Sequence, residues 1–267
     1  MPYVIVSKGL QYNMKDIVKI IITGVGGRMG RAVCEAAKLD GRFEIIAGVD
    51  IAPLQAEFPV YVGIDEMATD LGADVIVDFS HHSALEGILR YSDAAGCAAV
   101  ICTTGHTDAE KEMMTKASER IPVFYSRNMS LGINLLLSLV RKAATALYGF
   151  DIEIIEKHHH NKLDAPSGTA LMLAEAAAES VPYDAEFVYE RQSVRRKRAP
   201  EEIGIHAVRG GSIVGEHEVI FAGTDEVVTI SHSAASREVF AQGALRAALY
   251  MKGKPAGMYN MEKVIDG

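Results

Sequence analysis

Short apolar runs alternate with amphipathic stretches from residue 17 to residue 126, and this alternation constrains the fold more than any other feature. β-Branched residues dominate the runs, while the stretches between them carry apolar residues at helical spacing. Continuously apolar strands separated by helices predict a parallel sheet that is buried on both faces and joined by right-handed crossovers. The predicted strands are 17–23, 43–49, 74–79, 98–103 and 122–126, and the predicted helices are 28–39, 82–95 and 108–120.

The pattern changes after Asn128, where strands begin to follow one another without helices between them. Such a succession predicts an antiparallel or mixed sheet that is open on one face. Because 267 residues usually exceed a single core, we predict an α/β domain over 1–128 and an α+β domain over 129–235. The predicted elements of the second part are helices 130–147, 167–180 and 236–251, and strands 151–157, 185–191, 203–209, 217–223 and 226–233.

Composition and charge exclude several classes of protein. With 49% hydrophobic and 23% charged residues the chain is globular, and its formal charge of −8 argues against a protein that coats nucleic acid. The basic run 195–198 is followed by Glu201 and Glu202, and we interpret it as a solvated, mobile loop.

The ends and the cysteines of the chain bear on its location. No apolar run is long enough to cross a bilayer, and the N-terminus lacks the features of a signal peptide. Met14 would itself make a sensible start, so residues 1–13 are interpreted as an extension. Three cysteines without a CxxC pattern fit a reducing compartment. We therefore expect a cytoplasmic protein with no membrane or nucleic-acid partner.

A glycine-rich turn, Gly24-Val-Gly-Gly-Arg-Met-Gly30, joins the first predicted strand to the first predicted helix. Glycine permits the tight turn, the approach of backbone N–H groups to a pyrophosphate, and close packing of helix on strand. The third glycine falls one place later than in G-x-G-x-x-G, which leaves a purely structural turn as the alternative. Asp50 ends the second strand, 20 residues beyond Gly30, where a carboxylate accepts from adenosine ribose hydroxyls. The sequence therefore predicts a dinucleotide site in a Rossmann-like, doubly wound domain.

Asp50 also bears on the choice of cofactor. A carboxylate at this place repels a 2′-phosphate, and the next residues, Ile-Ala-Pro-Leu, supply no cation to offset it. We expect kcat/KM with NADH to be at least equal to that with NADPH. Arg28 is near enough in the loop to reach a 2′-phosphate, which leaves NADPH open as a second cofactor.

A second dense segment, residues 156–169, places three histidines and two lysines within six positions at the end of a predicted strand. Pro166-Ser167-Gly168-Thr169 then opens a helix, whose first N–H groups have no intrahelical partner. This combination suits a small dianion that is held at a carboxylate and protonated nearby. A solvated turn is the alternative, whereas no metal site is expected, because neighbouring histidines on a strand point to opposite faces.

Six segments in order resemble the dihydrodipicolinate reductase family. They are GVGGRMG (24–30), DFS (78–80), TTG (103–105), EKHHHNKLDAPSGTA (156–170), IGIHAVRGGSIVGEHEV (203–219) and SHSAASREVFAQGAL (231–245). The resemblance implies reduction of 4-hydroxy-tetrahydrodipicolinate, a cyclic imine dicarboxylate, to tetrahydrodipicolinate with NAD(P)H, in the diaminopimelate–lysine pathway. It further implies a homotetramer that assembles through the sheets of the substrate domain, 129–235, and a segment 236–267 that packs back on the dinucleotide domain.

The resemblance also assigns residues to roles. His158 matches the acid/base and Lys162 the proton-donating lysine, while His159, Gly168 and Thr169 match the positions that hold the substrate's carboxylates. The implied dinucleotide contacts are Gly24, Val25, Gly26, Gly27, Arg28, Met29, Gly30, Asp50, Cys102, Thr103, Thr104, Ser126, Arg127, Asn128 and Met129.

Two other readings remain open from the sequence. A non-catalytic sensor that binds NADH would leave the cationic segment without a purpose. Another two-domain dehydrogenase of amino-acid biosynthesis, such as an aspartate-semialdehyde dehydrogenase, needs a thiol nucleophile, and no cysteine follows Cys102. Cys102 itself is expected to be a buried strand residue rather than a nucleophile.

Overall fold

The computed structural model describes residues 17–267, so the predicted extension 1–13 lies outside the described residues. Contacts divide the chain into two units. The first holds the described residues up to Phe124 together with Ala248–Met258, and the second holds Tyr125–Ala247 and Tyr259–Gly267. Within residues 17–267, every helix is too short or too polar to span a membrane.

The elements are named in chain order. The strands are β1 Val18–Thr23, β2 Phe43–Val49, β3 Val60–Tyr61, β4 Val75–Asp78, β5 Ala98–Ile101, β6 Pro122–Tyr125, β7 Asp151–His158, β8 Glu186–Val188, β9 Glu202–Arg209, β10 Gly215–Ala222, β11 Val227–Ala234 and β12 Gly257–Tyr259. The α-helices are α1 Arg28–Asp40, α2 Leu85–Ala95, α3 Asp108–Ala117, α4 Leu131–Ala146, α5 Gly168–Ala178, α6 Glu238–Met251 and α7 Met261–Asp266. Short 3₁₀ turns cover Ile64–Glu66 and His82–Ala84.

A seven-stranded sheet in the order β12-β6-β5-β4-β1-β2-β3 forms the frame of the first unit. The strands from β5 through β4, β1 and β2 to β3 pair in parallel. Ile20, Ile21 and Ile22 are all fully buried, and consecutive strand residues point to opposite faces, so this sheet is covered on both sides. The predicted doubly wound parallel sheet is thus confirmed.

A five-stranded sheet in the order β11-β10-β7-β9-β8 forms the second unit. Strand β10 is antiparallel to β7 and β11, whereas β9 is parallel to β7 and β8, so the predicted mixed sheet is confirmed. One face packs on α4 and α5 through a core that includes Ile154, Phe221, Val140 and Leu173. Along β11 exposed and half-buried residues alternate, as expected for a sheet that is open on its other face.

Some local predictions need correction. The strand predicted at 185–191 is confined to Glu186–Val188, and β3, β12 and α7 were not predicted. The interpretation of 195–198 as a solvated loop needs correction at Arg198, whereas residues 195–197 are exposed. Arg198 donates to Asp151 (2.7 Å) and Glu153 (3.1 Å), and Arg196 lies 3.0 Å from buried Glu202. The bonds of Arg198 hold the end of the basic run against β7.

Candidate active site

The glycine turn of the first unit is a close backbone contact. Gly24 has a φ of 73°, and a Cβ there would lie 2.4 Å from the carbonyl oxygen of Phe79. A Cβ on Gly30 would lie 2.2 Å from the carbonyl oxygen of Gly24. Gly27, in an extended conformation, is the N-cap of α1. Glycine is therefore required at the turn and at the crossing of helix and strand.

Asp50 follows β2 and is bonded to this turn. Its Oδ2 accepts from the N–H of Gly26 at 2.8 Å, and its Oδ1 accepts from the N–H of Ala52 at 3.3 Å. The acidic residue thus stands where the sequence predicted it, and in addition it holds the glycine turn in place.

A cleft of about 730 Å³ opens beside the turn, within the first unit. It is lined by glycines 24, 26 and 27, by Asp50, by the Phe79–His81 segment after β4, and by residues 62–65 and the start of α2. Arg90 is the one lysine or arginine among the lining residues that the structure describes, and it donates to Asp65 at 2.6 Å. With Asp50 and Glu86 also present, the cleft carries a net negative lining.

The remaining predicted cofactor residues of this unit are absent from the cleft lining. Val25, Arg28 and Met29 belong to the turn and the start of α1 but do not line the cleft. Cys102, Thr103 and Thr104 directly follow β5 and do not line it either. Burial and the charge of Asp78 raise the pKa of the Cys102 thiol well above its ordinary value, so this buried cysteine is not a nucleophile.

Asp78 is a residue that sequence reasoning did not single out. Its buried Oδ1 accepts from Thr23 Oγ1 (2.6 Å), Ser80 Oγ (2.5 Å) and the Ser80 N–H (3.0 Å). These bonds hold the loop after β4, whose Phe79 contacts the glycine turn. An aspartate at the end of an apolar strand was the one sequence signal for this role.

In the second unit, Glu156 and His158 lie at the end of β7 and point towards the helices. Glu156 is fully buried, and its Oε2 lies 2.6 Å from His158 Nδ1. Arg209, on β9, makes two 2.7 Å bonds to the same carboxylate, and the N–H of Ser167 donates to Oε1 at 2.9 Å. Burial alone would raise the pKa of Glu156, but these bonds outweigh it and hold that pKa below its ordinary value.

The chain turns directly after His158. The N–H of Lys162 donates to the carbonyl oxygen of His159 at 3.1 Å, and Lys162 Nζ lies 2.9 Å from Asp164 Oδ1. Burial lowers the pKa of His159, with Arg237 and His158 acting in the same direction. His159 is therefore a neutral donor at pH 7. Within residues 17–267, no group of three histidine, cysteine or carboxylate side chains is placed to hold a metal ion.

Helix α5 begins beside this turn. Ser167 is its N-cap, and the Oγ accepts from the Ala170 N–H at 3.2 Å. The N–H groups of Gly168 and Thr169 belong to the first turn, where no intrahelical acceptor exists. Thr169 Oγ1 accepts from Asn128 Nδ2 at 2.9 Å.

Ser126, Arg127, Asn128 and Met129 also belong to the second unit. Ser126 Oγ donates to the Asn128 carbonyl at 2.7 Å, Arg127 pairs with Glu175 at 2.5 Å, and Met129 is buried. Their contact with a dinucleotide stays a prediction.

His217, on β10, was not predicted. It is buried, its Nε2 lies 3.1 Å from Ser167 Oγ, and its ring centre is 5.2 Å from that of His158. Burial, with the electrostatic effect of a protonated His158 in the same direction, lowers the pKa of His217 to about 4. A neutral imidazole thus packs edge-on against His158.

Comparison with known proteins agrees with this geometry. Residues 18–129 match the model of the dihydrodipicolinate reductase N-terminus, and residues 132–265 match that of its C-terminus. The chain is 51% identical over 249 residues to the 4-hydroxy-tetrahydrodipicolinate reductase of Caldanaerobacter subterraneus subsp. tengcongensis, covering 93% of this chain and 98% of that protein. It is 47% identical over 252 residues to the enzyme of that name from Clostridium tetani, covering 94% and 98%.

A solved structure is similar as well. The dipicolinate-bound dihydrodipicolinate reductase from Paenisporosarcina sp. TG-14 superposes with a TM-score of 0.78 at 25% identity, covering 92% of this chain and 99% of that one.

A Rossmann-like unit joined to an α+β unit with a mixed sheet defines the class of two-domain oxidoreductases. The chain belongs to the dihydrodipicolinate reductase family. It is an oxidoreductase that reduces 4-hydroxy-tetrahydrodipicolinate on the route to diaminopimelate and lysine.

Proposed function

We propose that His158 and Lys162 deliver the proton in this reduction, that His159, Gly168 and Thr169 hold the substrate's carboxylates, and that NADH is used at least as well as NADPH. One observation carries the proposal. Within the second unit, a histidine bonded to a buried carboxylate, an ammonium group and the first-turn N–H groups of Gly168 and Thr169 in α5 occur together at the end of β7.

The first unit fits a dinucleotide. The N–H groups of Gly26 and Gly27 are used within the turn, by Asp50 and by the Gly24 carbonyl oxygen. The N–H groups of Arg28 and Met29, in the first turn of α1, have no intrahelical acceptor and stand at the positive helix end, where a pyrophosphate is stabilised. The carboxylate of Asp50 accepts from ribose hydroxyls, and the cleft of about 730 Å³ has room for half of the cofactor or more. When bound, the reduced nicotinamide supplies the hydride.

The second unit fits a doubly anionic ring. The N–H groups of Gly168 and Thr169 at the α5 terminus and the neutral His159 donate to a carboxylate. Hydride addition to a conjugated imine builds negative charge along the ring, and a positioned acid discharges it. Lys162, held by Asp164, and His158, held by Glu156, supply the proton and the positive field.

Assembly and location complete the proposal. Val208 on β9 and Val227 on β11 are exposed apolar residues of the mixed sheet, 44% and 61% accessible. Exposed valines on strands favour association of sheets, and we extend the proposal to a homotetramer formed there. The free thiols Cys34, Cys97 and Cys102 support a reducing, cytoplasmic location.

Substrate binding is tested with pyridine-2,6-dicarboxylate, a planar mimic of the substrate. We expect it to compete with the imine, generated in the assay by the preceding synthase, while NADH oxidation is followed at 340 nm. His159→Ala should weaken inhibition about tenfold or more, because a donor to a charged group is lost. His160→Ala, at the exposed neighbouring position, is the matched control and should leave inhibition unchanged. Equal inhibition of both variants would refute the assignment of His159.

Cofactor choice is tested at Asp50. Wild-type kcat/KM with NADH should equal or exceed that with NADPH, because the carboxylate repels a 2′-phosphate. Asp50→Ser should reduce the ratio of kcat/KM with NADH to kcat/KM with NADPH about tenfold, because the repulsion of the 2′-phosphate is removed. The serine hydroxyl retains an acceptor for the Gly26 N–H. Asp65→Ser, also in the cleft lining, is the control. A wild-type preference of tenfold for NADPH would contradict the proposal.

A further inference from the structure

We propose that Glu156 is a positioning residue, which holds His158 with its hydrogen on Nδ1 and so makes Nε2 the nitrogen that exchanges a proton with the substrate. The inference rests on the proposed function only in that His158 takes part in proton transfer. The quoted sequence motif begins at Glu156 but gives this residue no role, whereas the structure places its carboxylate against His158 Nδ1.

The hydrogen bond fixes the tautomer. An ionised carboxylate only accepts, so the 2.6 Å contact with Glu156 Oε2 requires a hydrogen on His158 Nδ1. Glu156 is ionised because three bonds from fixed donors converge on it, two from the Arg209 guanidinium and one from the Ser167 N–H. The neutral imidazole then carries its lone pair on Nε2.

The neighbouring strand places no side chain from Gly215 against Nε2. Gly215, on β10, is the residue next to it, and a Cβ there would lie 3.1 Å from Nε2. Any larger residue would press on the nitrogen that must meet the substrate. Because Gly215 has no side chain, Nε2 is not blocked from this strand. Since Nδ1 is bonded to Glu156, Nε2 is the ring nitrogen left to exchange a proton.

Arg209 balances the carboxylate. Its guanidinium neutralises Glu156 through a two-pronged pair, and its Nη2 also donates to the carbonyl oxygen of Asp164 at 2.6 Å. Asp164 in turn pairs with Lys162. The Glu156–Arg209 pair therefore positions the imidazole without leaving an uncompensated charge beside it. Through Asp164, Arg209 also connects His158 to the turn that carries Lys162.

Charged and titratable groups face His158 from each element packed against it. The charged groups are Glu156 on its own strand, Arg209 on β9 and Lys162 on the following turn. The neutral ones are His217 on β10, His159 on the turn and Ser167 at the start of α5. Removing the charge of Glu156 leaves Arg209 to repel an imidazolium. Removing the charge of Arg209 leaves Glu156 to stabilise one. The two changes therefore have opposite effects on the stability of the imidazolium form of His158.

The test compares Glu156→Gln with Arg209→Met in the full-length enzyme. Glu156→Gln should lower kcat about tenfold to a hundredfold, the usual cost of losing a histidine-orienting partner, and move the upper limb of the kcat/KM–pH profile to lower pH. Arg209→Met should move that limb to higher pH. Glu153→Gln removes another ion-paired carboxylate of β7 and should leave the profile unchanged. A purely structural role would lower kcat without these opposite displacements, and shifts in the same direction would overturn the inference.

The tautomer of His158 can be measured directly by NMR in the enzyme with Glu156 and Arg209 unchanged. In the enzyme labelled with ¹³C and ¹⁵N at histidine, with the His158 signal identified by its loss in His158→Gln, we expect the Nδ1–H tautomer near pH 8. An Nε2–H tautomer would overturn the inference. If the tautomer is as expected and titration of the signal shifts oppositely in the two variants while their kinetic profiles do not move, Glu156 positions His158 as inferred and the role of His158 in the proposed function is refuted.

Discussion

Replacing Lys162 or His158 by alanine is expected to lower kcat at least about 100-fold, while the KM for NADH stays within about twofold. A general acid contributes on the order of 10²–10⁴ in rate, and both residues lie in the second unit, outside the glycine turn and the cleft beside Asp50. The measurement is steady-state oxidation of NADH at 340 nm, with the imine generated in the cuvette.

The chain offers a matched control for this experiment. Lys157 lies on β7 next to His158 but pairs with Glu216 at 3.1 Å, away from the turn that carries Lys162. Lys157→Ala should retain kcat within about twofold. Wild-type activity in the His158→Ala, Lys162→Ala double variant would remove both residues from the mechanism.

Replacing Gly30 by alanine is expected to destabilise the enzyme by about 3 kcal/mol or more, at or above the upper end of ordinary overpacking. The added Cβ would lie 2.2 Å from the Gly24 carbonyl oxygen and 2.7 Å from Val25 Cα, and both are backbone atoms that no side-chain rotation can move away. At about 2–4 °C per kcal/mol, the value for proteins of about 150–250 residues, a loss of about 3 kcal/mol in unfolding free energy corresponds to a fall in Tm of about 6–12 °C. Thermal unfolding measures it, and NADH affinity, followed by protein fluorescence energy transfer from tyrosine, should fall as the turn is displaced.

Gly63→Ala serves as the comparison for this variant. Gly63 has an extended backbone, and a Cβ there would meet nothing within 4 Å, so stability should change by less than about 0.5 kcal/mol. Equal stability of Gly30→Ala and wild type would show that helix α1 can shift without cost, contrary to the packing argument.

Features encoded by local pattern were predictable from the sequence. The apolar runs from Val18 onwards specify the strands of the first sheet, and the turn from Gly24 to Gly30 with Asp50 specifies its cleft. Thr107 and Glu110 at the start of α3 have the Thr-x-x-Glu spacing that is typical of a capping box, and the structure contains both of its bonds. Each of these depends on neighbours in the chain or on one well-known spacing.

Features that depend on long-range pairing were not predictable. Glu156 meets Arg209 across 53 residues, and Asp78 meets Thr23 across 55. The basic run 195–198 has the composition of a solvated loop and is exposed over 195–197, yet Asp151 and Glu153 on β7 hold Arg198. Strands as short as Val60–Tyr61 carry no periodicity, so pattern analysis has nothing to detect.

Ser167 connects two tasks through a single residue. Its N–H is bonded to Glu156, while its hydroxyl contacts both the first turn of α5 and His217. In the function proposed above, binding of the substrate's carboxylates and proton transfer to its ring therefore both depend on Ser167. Redesign of this enzyme for a different ring would then have to treat the α5 terminus and His158 together, because a change that displaces Ser167 alters the position of both.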